Sequence, residues 1–170
     1  MNWSAASGTG VQSYQLRVTS GHMVNYSYLL VNHTSREAVL VDPAWDPVQI
    51  TEQVQLLEVQ VRAILITHAH FDHVHLAAPL ARHYQVPVYM SSVAAAKLKQ
   101  PIPSLHSFAT DCTLSLAGMQ LTALLTPGHS TGSACYLSQA HLYTGDTLFI
   151  EGCGTCAGGA PACRQLYDSL

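Results

Sequence analysis

Charge is what this 170-residue sequence lacks most. Asp, Glu, Lys and Arg make up 10 % of it, against about 25 % in an average soluble protein. Only seven residues are Lys or Arg and the formal net charge is −3. That balance argues against a nucleic-acid partner, because such a protein neutralises phosphates with clustered basic side chains. No apolar run approaches the ~18 residues that would span a bilayer, so no membrane segment is expected. Met1 to Gly10 has neither a basic start nor an apolar centre and does not read as a signal peptide. Cysteine is sparse, five residues in a chain too long to need covalent staples. An odd, small count fits a reducing compartment better than a disulfide framework, and the expected location is the cytoplasm.

Hydrophobic residues reach 48 %, which excludes disorder, since low hydrophobicity with high charge is what keeps chains unfolded. At this length one compact domain buries ~70 % of the surface its unfolded chain exposes. Histidine is abundant: its ten residues equal the whole Asp and Glu count, and it is the commonest metal ligand.

Residues 1–13 read as a flexible lead and 14–170 as one domain. Tyr14–Thr19, Val24–Asn32 and Ala38–Asp42 are β-rich runs separated by turn signals. Asp46 is placed to cap a helix whose apolar positions are Val48, Ile50, Val54 and Leu57. The run Ala63-Ile64-Leu65-Ile66 is continuously apolar and reads as a strand buried on both faces. A helix is expected over Val74–Tyr84, a strand over Val86–Tyr89, and an Ala-rich helix over Ser92–Leu98 that Pro101 and Pro103 end. Strands return at Thr113–Leu116, Gln120–Leu125, Ala134–Leu137 and His141–Tyr143. This order suits an α+β fold in which two mixed sheets pack face to face with helices outside.

The segment His68-x-His70-x-Asp72-His73 places four metal-ligand side chains within six residues, directly after the buried strand. The alternate spacing of His68 and His70 sends both imidazoles to one side of an extended segment. Asp72 and His73 follow the bend and face a second point. Thr126-Pro127-Gly128-His129-Ser130-Thr131-Gly132 presents His129 on a turn after a strand, and Gly145-Asp146-Thr147 follows the strand ending at Tyr143. Zinc takes neutral imidazole and carboxylate. His68, His70 and His129 would make a three-histidine site with one position open for water. Asp72 and His73 would begin a second site, and Asp146 would bridge the two. His22, His33, His83, His106 and His141 read as ordinary surface or core histidines.

Thr67 to His73, Pro127 to Gly132 and Gly145 to Gly152 together resemble the metallo-β-lactamase superfamily. Gly145-Asp146-Thr147-Leu148-Phe149 with Gly152-Cys153-Gly154 is similar to its hydroxyacylglutathione hydrolase (glyoxalase II) branch. The finer segments Gly21 to Tyr28, Val41 to Asp46 and Glu151 to Gly154 resemble the zinc hydrolases encoded beside bacterial trans-acyltransferase polyketide synthases of the bacillaene type. The resemblance implies an αββα sandwich, two Zn2+ per chain at the edge between the sheets, with iron as the other candidate, and hydrolysis by a metal-bridging hydroxide. It also implies that Asp42 supports the ligand loop from behind, and that the substrate is an acyl thioester on the phosphopantetheine arm of an acyl carrier protein.

Two departures stand out. Where the glutathione-thioester branch continues Gly-Cys-Gly with an Arg, this chain has Thr155-Cys156-Ala157, with no basic residue before Arg164. The family also takes a last histidine from a strand that would lie beyond Leu170, so the C-terminal part of the sandwich is expected to be missing.

Chemistry favours thioesters independently. Metal-bound water ionises near pH 7, and a thiolate, whose conjugate acid has a pKa of about 8.5, departs without a strong general acid. Asp72 is the candidate for orienting the attacking water. The alternatives are a glutathione-thioester hydrolase, a persulfide dioxygenase with one iron on His68, His129 and Asp146, and a non-catalytic binding module, with a lactamase last. Arg62, Arg82, Lys97, Lys99 and Arg164 are the basic residues from which a carrier-binding patch would be built. Cys153, Cys156 and Cys163 invite a zinc-knuckle or redox reading, but read more simply as incidental thiols beside the site. Tyr26, Tyr28 and Trp45 are candidates for substrate contacts.

Overall fold

The computed structural model describes residues 10–139 and 141–170. Most of the expected flexible lead, residues 1–9, lies outside them. The first strand, β1 (Val11–Ser20), already includes Val11 to Ser13, which were expected to belong to that lead. It pairs with β2 (Met23–Asn32) through a Gly21-His22 turn, with Ser20 opposite Met23. Gly21 sits at φ 59° there, a left-handed entry that two-residue hairpins favour.

β3 (Glu37–Val41) adds to β2 antiparallel, and β4 (Gln60–Leu65), β5 (Val88–Ser91) and β6 (Leu105–Phe108) then add in parallel. The result is a six-stranded sheet in the order β1-β2-β3-β4-β5-β6. The second sheet is antiparallel, with β7 (Cys112–Leu116), β8 (Met119–Leu125), β9 (Ala134–Ser138) and β10 (His141–Tyr143) in the order β10-β9-β8-β7.

The period of two divides the core. On β3 and β4, Leu40, Ile64 and Ile66 join the cluster under the helices, while Val39, Val41, Ala63 and Leu65 join the cluster shared with the second sheet. This is why the apolar run of β4 is unbroken: both of its faces are covered. The helical side is supplied by α1 (Pro47–Leu56), which buries Ile50 and Val54, and by α3 (Ala77–Tyr84), which buries Ala77, Leu80 and Ala81. Asp46 caps α1 as expected, accepting from the Gln49 N–H at 2.9 Å. After the second sheet comes α5 (Ala160–Ser169), anchored by buried Leu166. A Cβ at Gly128 would collide with the Leu166 backbone, so this helix lies hard against the His129 turn.

The structure corrects two expected helices and adds one strand. The helix expected over Val74–Tyr84 is broken into α2 (Phe71–Val74) and α3. The break falls at Leu76, whose N–H donates to Pro43 O at 3.0 Å instead of staying free to extend the turn above it. The helix expected over Ser92–Leu98 is α4 (Ser92–Ala95) only. β6 was not expected at all, because its half-exposed Leu-His-Ser-Phe has no strong strand pattern and is held by pairing with β5. No helix among the described residues is long and apolar enough to cross a membrane.

Candidate metal centre

The loops after β3, β4, β8 and β10 meet at one edge of the sandwich and carry Asp42, His68 to His73, His129 and Asp146. Asp42 sits at φ 47°, a conformation a non-glycine residue keeps only when its surroundings hold it. Its own N–H donates to Leu65 O at 2.9 Å. Its Oδ1 accepts from the Thr67 N–H at 2.8 Å, and its Oδ2 from the Thr67 hydroxyl at 2.6 Å and His73 Nδ1 at 2.8 Å.

These bonds set the tautomers of the histidines. The Thr67 hydroxyl donates to Asp42, so it accepts from His68 Nδ1 at 3.0 Å and leaves the His68 Nε2 lone pair free. His73 Nδ1 donates to Asp42 and leaves its Nε2 free in the same way. His129 Nδ1 donates to Thr155 O at 2.8 Å. Fixing one ring nitrogen on an oxygen so that the other can ligate is how metal-binding histidines are oriented.

The freed atoms converge. His70 Nδ1 lies 3.0 Å from His68 Nε2 and 2.9 Å from His129 Nε2, and His129 Nε2 lies 3.3 Å from Asp146 Oδ2. One ligand atom from each of these four residues falls within 4.8 Å of all the others. Asp72 and His73 stand to one side: His73 Nε2 is 3.7 Å from Asp72 Oδ2 and 3.3 Å from Asp146 Oδ1. His73 Nε2 is buried and makes no hydrogen bond, which is a cost unless a cation meets it. The donor set therefore fits a metal at the four-residue cluster and a second beside His73, with Asp146 facing both.

Electrostatics agree. Burial, with the charge of His73 next, pushes His68 down to about 2, so its imidazole stays neutral. Burial and His129 lower His70 as well. Burial alone would raise Asp146, but the adjacent imidazoles, His73 first and then His68 and His129, together outweigh it and bring it down to about 2. His73 is the exception. Burial is the largest single influence and opposes its charge, yet the Asp42 and Asp146 carboxylates together outweigh it and lift it to about 10. A cation at Nε2 competes with that proton directly.

Every site residue expected from the sequence is thus at this edge. Three contributors were missed. Asn25 on β2 donates through Nδ2 to Asp72 O at 2.7 Å and Asp72 Oδ2 at 3.0 Å. Thr67 and the Thr155 carbonyl orient His68 and His129. Gly154 makes the last contact possible: a Cβ there would lie 2.5 Å from His129 Nδ1. The zinc-knuckle reading of Cys153, Cys156 and Cys163 is not met. Among the described residues, the His68, His70, His129 and Asp146 group is the one set of three or more His, Cys, Asp or Glu whose ligand atoms converge.

Residues 21–169 match the metallo-beta-lactamase superfamily. The chain belongs to that superfamily. Among relatives of this metallo-beta-lactamase chain is the "Probable polyketide biosynthesis zinc-dependent hydrolase BaeB" of Bacillus velezensis, 36 % identical over 92 % of this chain and 70 % of the relative. The hydroxyacylglutathione hydrolase of Salmonella typhi is 34 % identical over 86 % of this chain and 55 % of its own length. The chain thus spans little more than half of that second relative. The crystal structure of TTHA1623 in a di-iron-bound form superposes with a TM-score of 0.74 at 30 % identity, covering 91 % of this chain and 83 % of that one. The two sequence relatives bear the names of the branch that the motifs resemble, and the solved structure shares the fold.

In the metallo-beta-lactamase frame of this chain, a cleft of about 600 Å³ opens from the metal edge. His73 and Asp146 form its inner end, Val24, Tyr26 and Tyr28 line one side, and Tyr143, Leu148 and Ile150 line another. Tyr28 and Tyr143 meet edge to face with centroids 5.2 Å apart. Of the three aromatic candidates for substrate contact, Tyr26 and Tyr28 line the cleft. Trp45 does not: it packs on Phe71 and His75.

Proposed function

We propose that this chain is a zinc-dependent hydrolase of acyl thioesters, acting in the cytoplasm on acyl groups borne by the phosphopantetheine arm of a carrier protein in polyketide biosynthesis. The observation that carries the reading is the orphaned Nε2 of His73 beside Asp72 and Asp146. A one-metal oxygenase built on His68, His129 and Asp146 would leave Asp72 and His73 without a metal, so the pair favours two ions. His68, His70, His129 and Asp146 would hold one ion, and Asp72, His73 and Asp146 the other.

Bound there, the metal pair supplies activated water at neutral pH and a Lewis acid for the acyl carbonyl. The chain's own residues do the rest. Asp72, gripped at two points by Asn25, is aimed so that its carboxylate accepts a hydrogen bond from the attacking water. Asp42 holds the ligand loop through its bonds to Thr67 and His73. The leaving thiolate needs no acid from the protein. The kinship with the Bacillus velezensis hydrolase supports the substrate class. Glutathione fits less well, because where the glutathione-thioester branch continues Gly-Cys-Gly with an Arg this chain has Thr155, with no basic residue before Arg164.

The di-iron form of TTHA1623 supports iron as the alternative metal; the alternative activity, a persulfide dioxygenase, would use a single iron. Metal content per chain, measured by mass spectrometry on protein purified without added metal, separates the two. Two zinc ions with hydrolysis of acyl-pantetheine are expected. One iron with oxygen uptake on persulfides would overturn the hydrolase.

A further inference from the structure

The metal edge is asymmetric. On its His73 side lies the cleft, whose outer walls are mainly phenol and hydrocarbon, with Gln15, Asn25 and Glu151 among them and no Lys or Arg. Three apolar side chains at its rim remain in solvent: Val24 is 44 % exposed, Leu148 43 % and Ile150 fully. Exposed apolar groups continuous with a pocket that starts at the candidate metal ligands are surface left for an apolar ligand to cover. The other side of the edge, at His129, carries charge. Lys97 reaches Thr131, two residues from His129, with its Nζ donating to Thr131 Oγ1 at 2.6 Å. A neutral hydroxyl leaves that ammonium charge uncompensated, and Lys97 has no ion pair among the described residues. By contrast Arg62 is paired with Glu37 and Arg36 with Glu58, and Arg164 lies 3.6 Å from Asp168. Arg62 and Arg164, two of the five basic residues from which a docking patch was expected, already have an acidic neighbour.

We infer that the substrate lies across the metal edge in one orientation, with an extended acyl chain in the Tyr26, Tyr28 and Tyr143 cleft and the anionic, protein-borne end of its thiol arm on the Lys97 side. The inference rests on the hydrolase reading and adds to it a direction and a preference for long acyl groups. A short, hydrated acyl group would leave the cleft unfilled, whereas each methylene buried there is worth about fourfold in affinity. A phosphodiester-linked arm on an acidic carrier brings its negative charge to Lys97, where attraction acts chiefly on the encounter rate and is screened by salt.

The test uses the full chain as purified with its metal. Binding of non-hydrolysable S-alkyl pantetheine thioethers of increasing length, read by calorimetry, is expected to tighten about fourfold per methylene until the cleft is full. In Tyr26→Ala and Ile150→Asp that slope is expected to fall; Ile150 is fully exposed, so the second variant keeps the fold. In parallel, kcat/KM is measured on an acyl-carrier substrate and on the same acyl group carried by N-acetylcysteamine. In Lys97→Glu the ratio of the two is expected to drop about tenfold, less at high salt. Affinity independent of chain length, or a Lys97→Glu ratio equal to that of the native protein, would overturn the orientation. Chain-length-dependent thioether binding without turnover of any thioester would overturn the hydrolase reading and still support the cleft.

Discussion

His73 Nδ1 donates to Asp42 Oδ2 across 2.8 Å, and both side chains are almost wholly buried. Through this one bond a residue on the β3 loop decides which nitrogen of a residue on α2 faces the metal edge. Asp42→Ala removes it together with both bonds to Thr67, leaving His73 and the Thr67 groups without their acceptor. The expected loss is about 3–5 kcal/mol of stability, the scale for breaking a buried charged pair, with metal content falling below two ions per chain. Denaturant unfolding and metal analysis of the same sample check both.

Asn25→Ala is a milder version of the same experiment. It frees the Asp72 carboxylate and carbonyl but leaves the four-residue cluster intact. The second metal is expected to bind 10–100-fold more weakly, the range for losing an outer hydrogen bond to a ligand, while the first is unaffected. A two-phase titration with a chromophoric chelator resolves the two affinities.

Gly154→Ala pushes a methyl group into His129 Nδ1 and the Asp146 backbone. Overpacking of this kind costs about 1–3 kcal/mol, and here it also displaces Thr155 from His129, so metal retention should fall with thermal stability. Gly152→Ala is the control. Nothing lies within 4 Å of its added carbon, and its melting temperature should match that of the native protein.

Tyr136 is fully buried, and its hydroxyl lies 2.8 Å from Ile66 O, immediately before the ligand loop. Tyr136→Phe keeps the ring and strands that carbonyl in an apolar interior. The expected destabilisation is about 1–3 kcal/mol, with little effect on metal affinity, since no ligand loses its partner. Equilibrium urea unfolding gives the number.

Chelation by EDTA should lower the melting temperature in a way that added zinc restores. An ion present at a thousand times its dissociation constant contributes about 4 kcal/mol to the folded state. Differential scanning calorimetry with and without chelator reads it.

Much of the site was legible in the sequence because its ligands are crowded: four fall between His68 and His73, and the other two follow strand ends. Asp42 came from family likeness, yet its reason is spatial. Parallel pairing of β3 and β4, with Val41 beside Leu65, puts Asp42 next to Thr67. Asn25 could not be read out, because β2 continues past the end of β3, where Tyr28 pairs with Val41, and only that overhang carries it to Asp72. The Thr155 carbonyl is a backbone group and leaves no trace in residue identity. The break between α2 and α3 was hidden for a similar reason: the N–H of Leu76 is claimed by Pro43, far away in sequence. Strands with a clear pattern, such as β4, β8 and β9, were legible to within a few residues. The edge strand β6 was not, since pairing with β5 makes it a strand and its own composition does not.

The two sheets contribute different candidate ligands: His68, His70, Asp72 and His73 follow β4 in the first, whereas His129 and Asp146 follow β8 and β10 in the second. An ion held between them joins points roughly 80 residues apart in the chain, and closing a loop of that length in an unfolded chain costs on the order of 4 kcal/mol. The metal centre is therefore also a removable cross-link. In a chain whose five cysteines are all free, such a clasp ties the sandwich together without a covalent bond, and the protein's resistance to unfolding becomes a function of the free metal concentration around it.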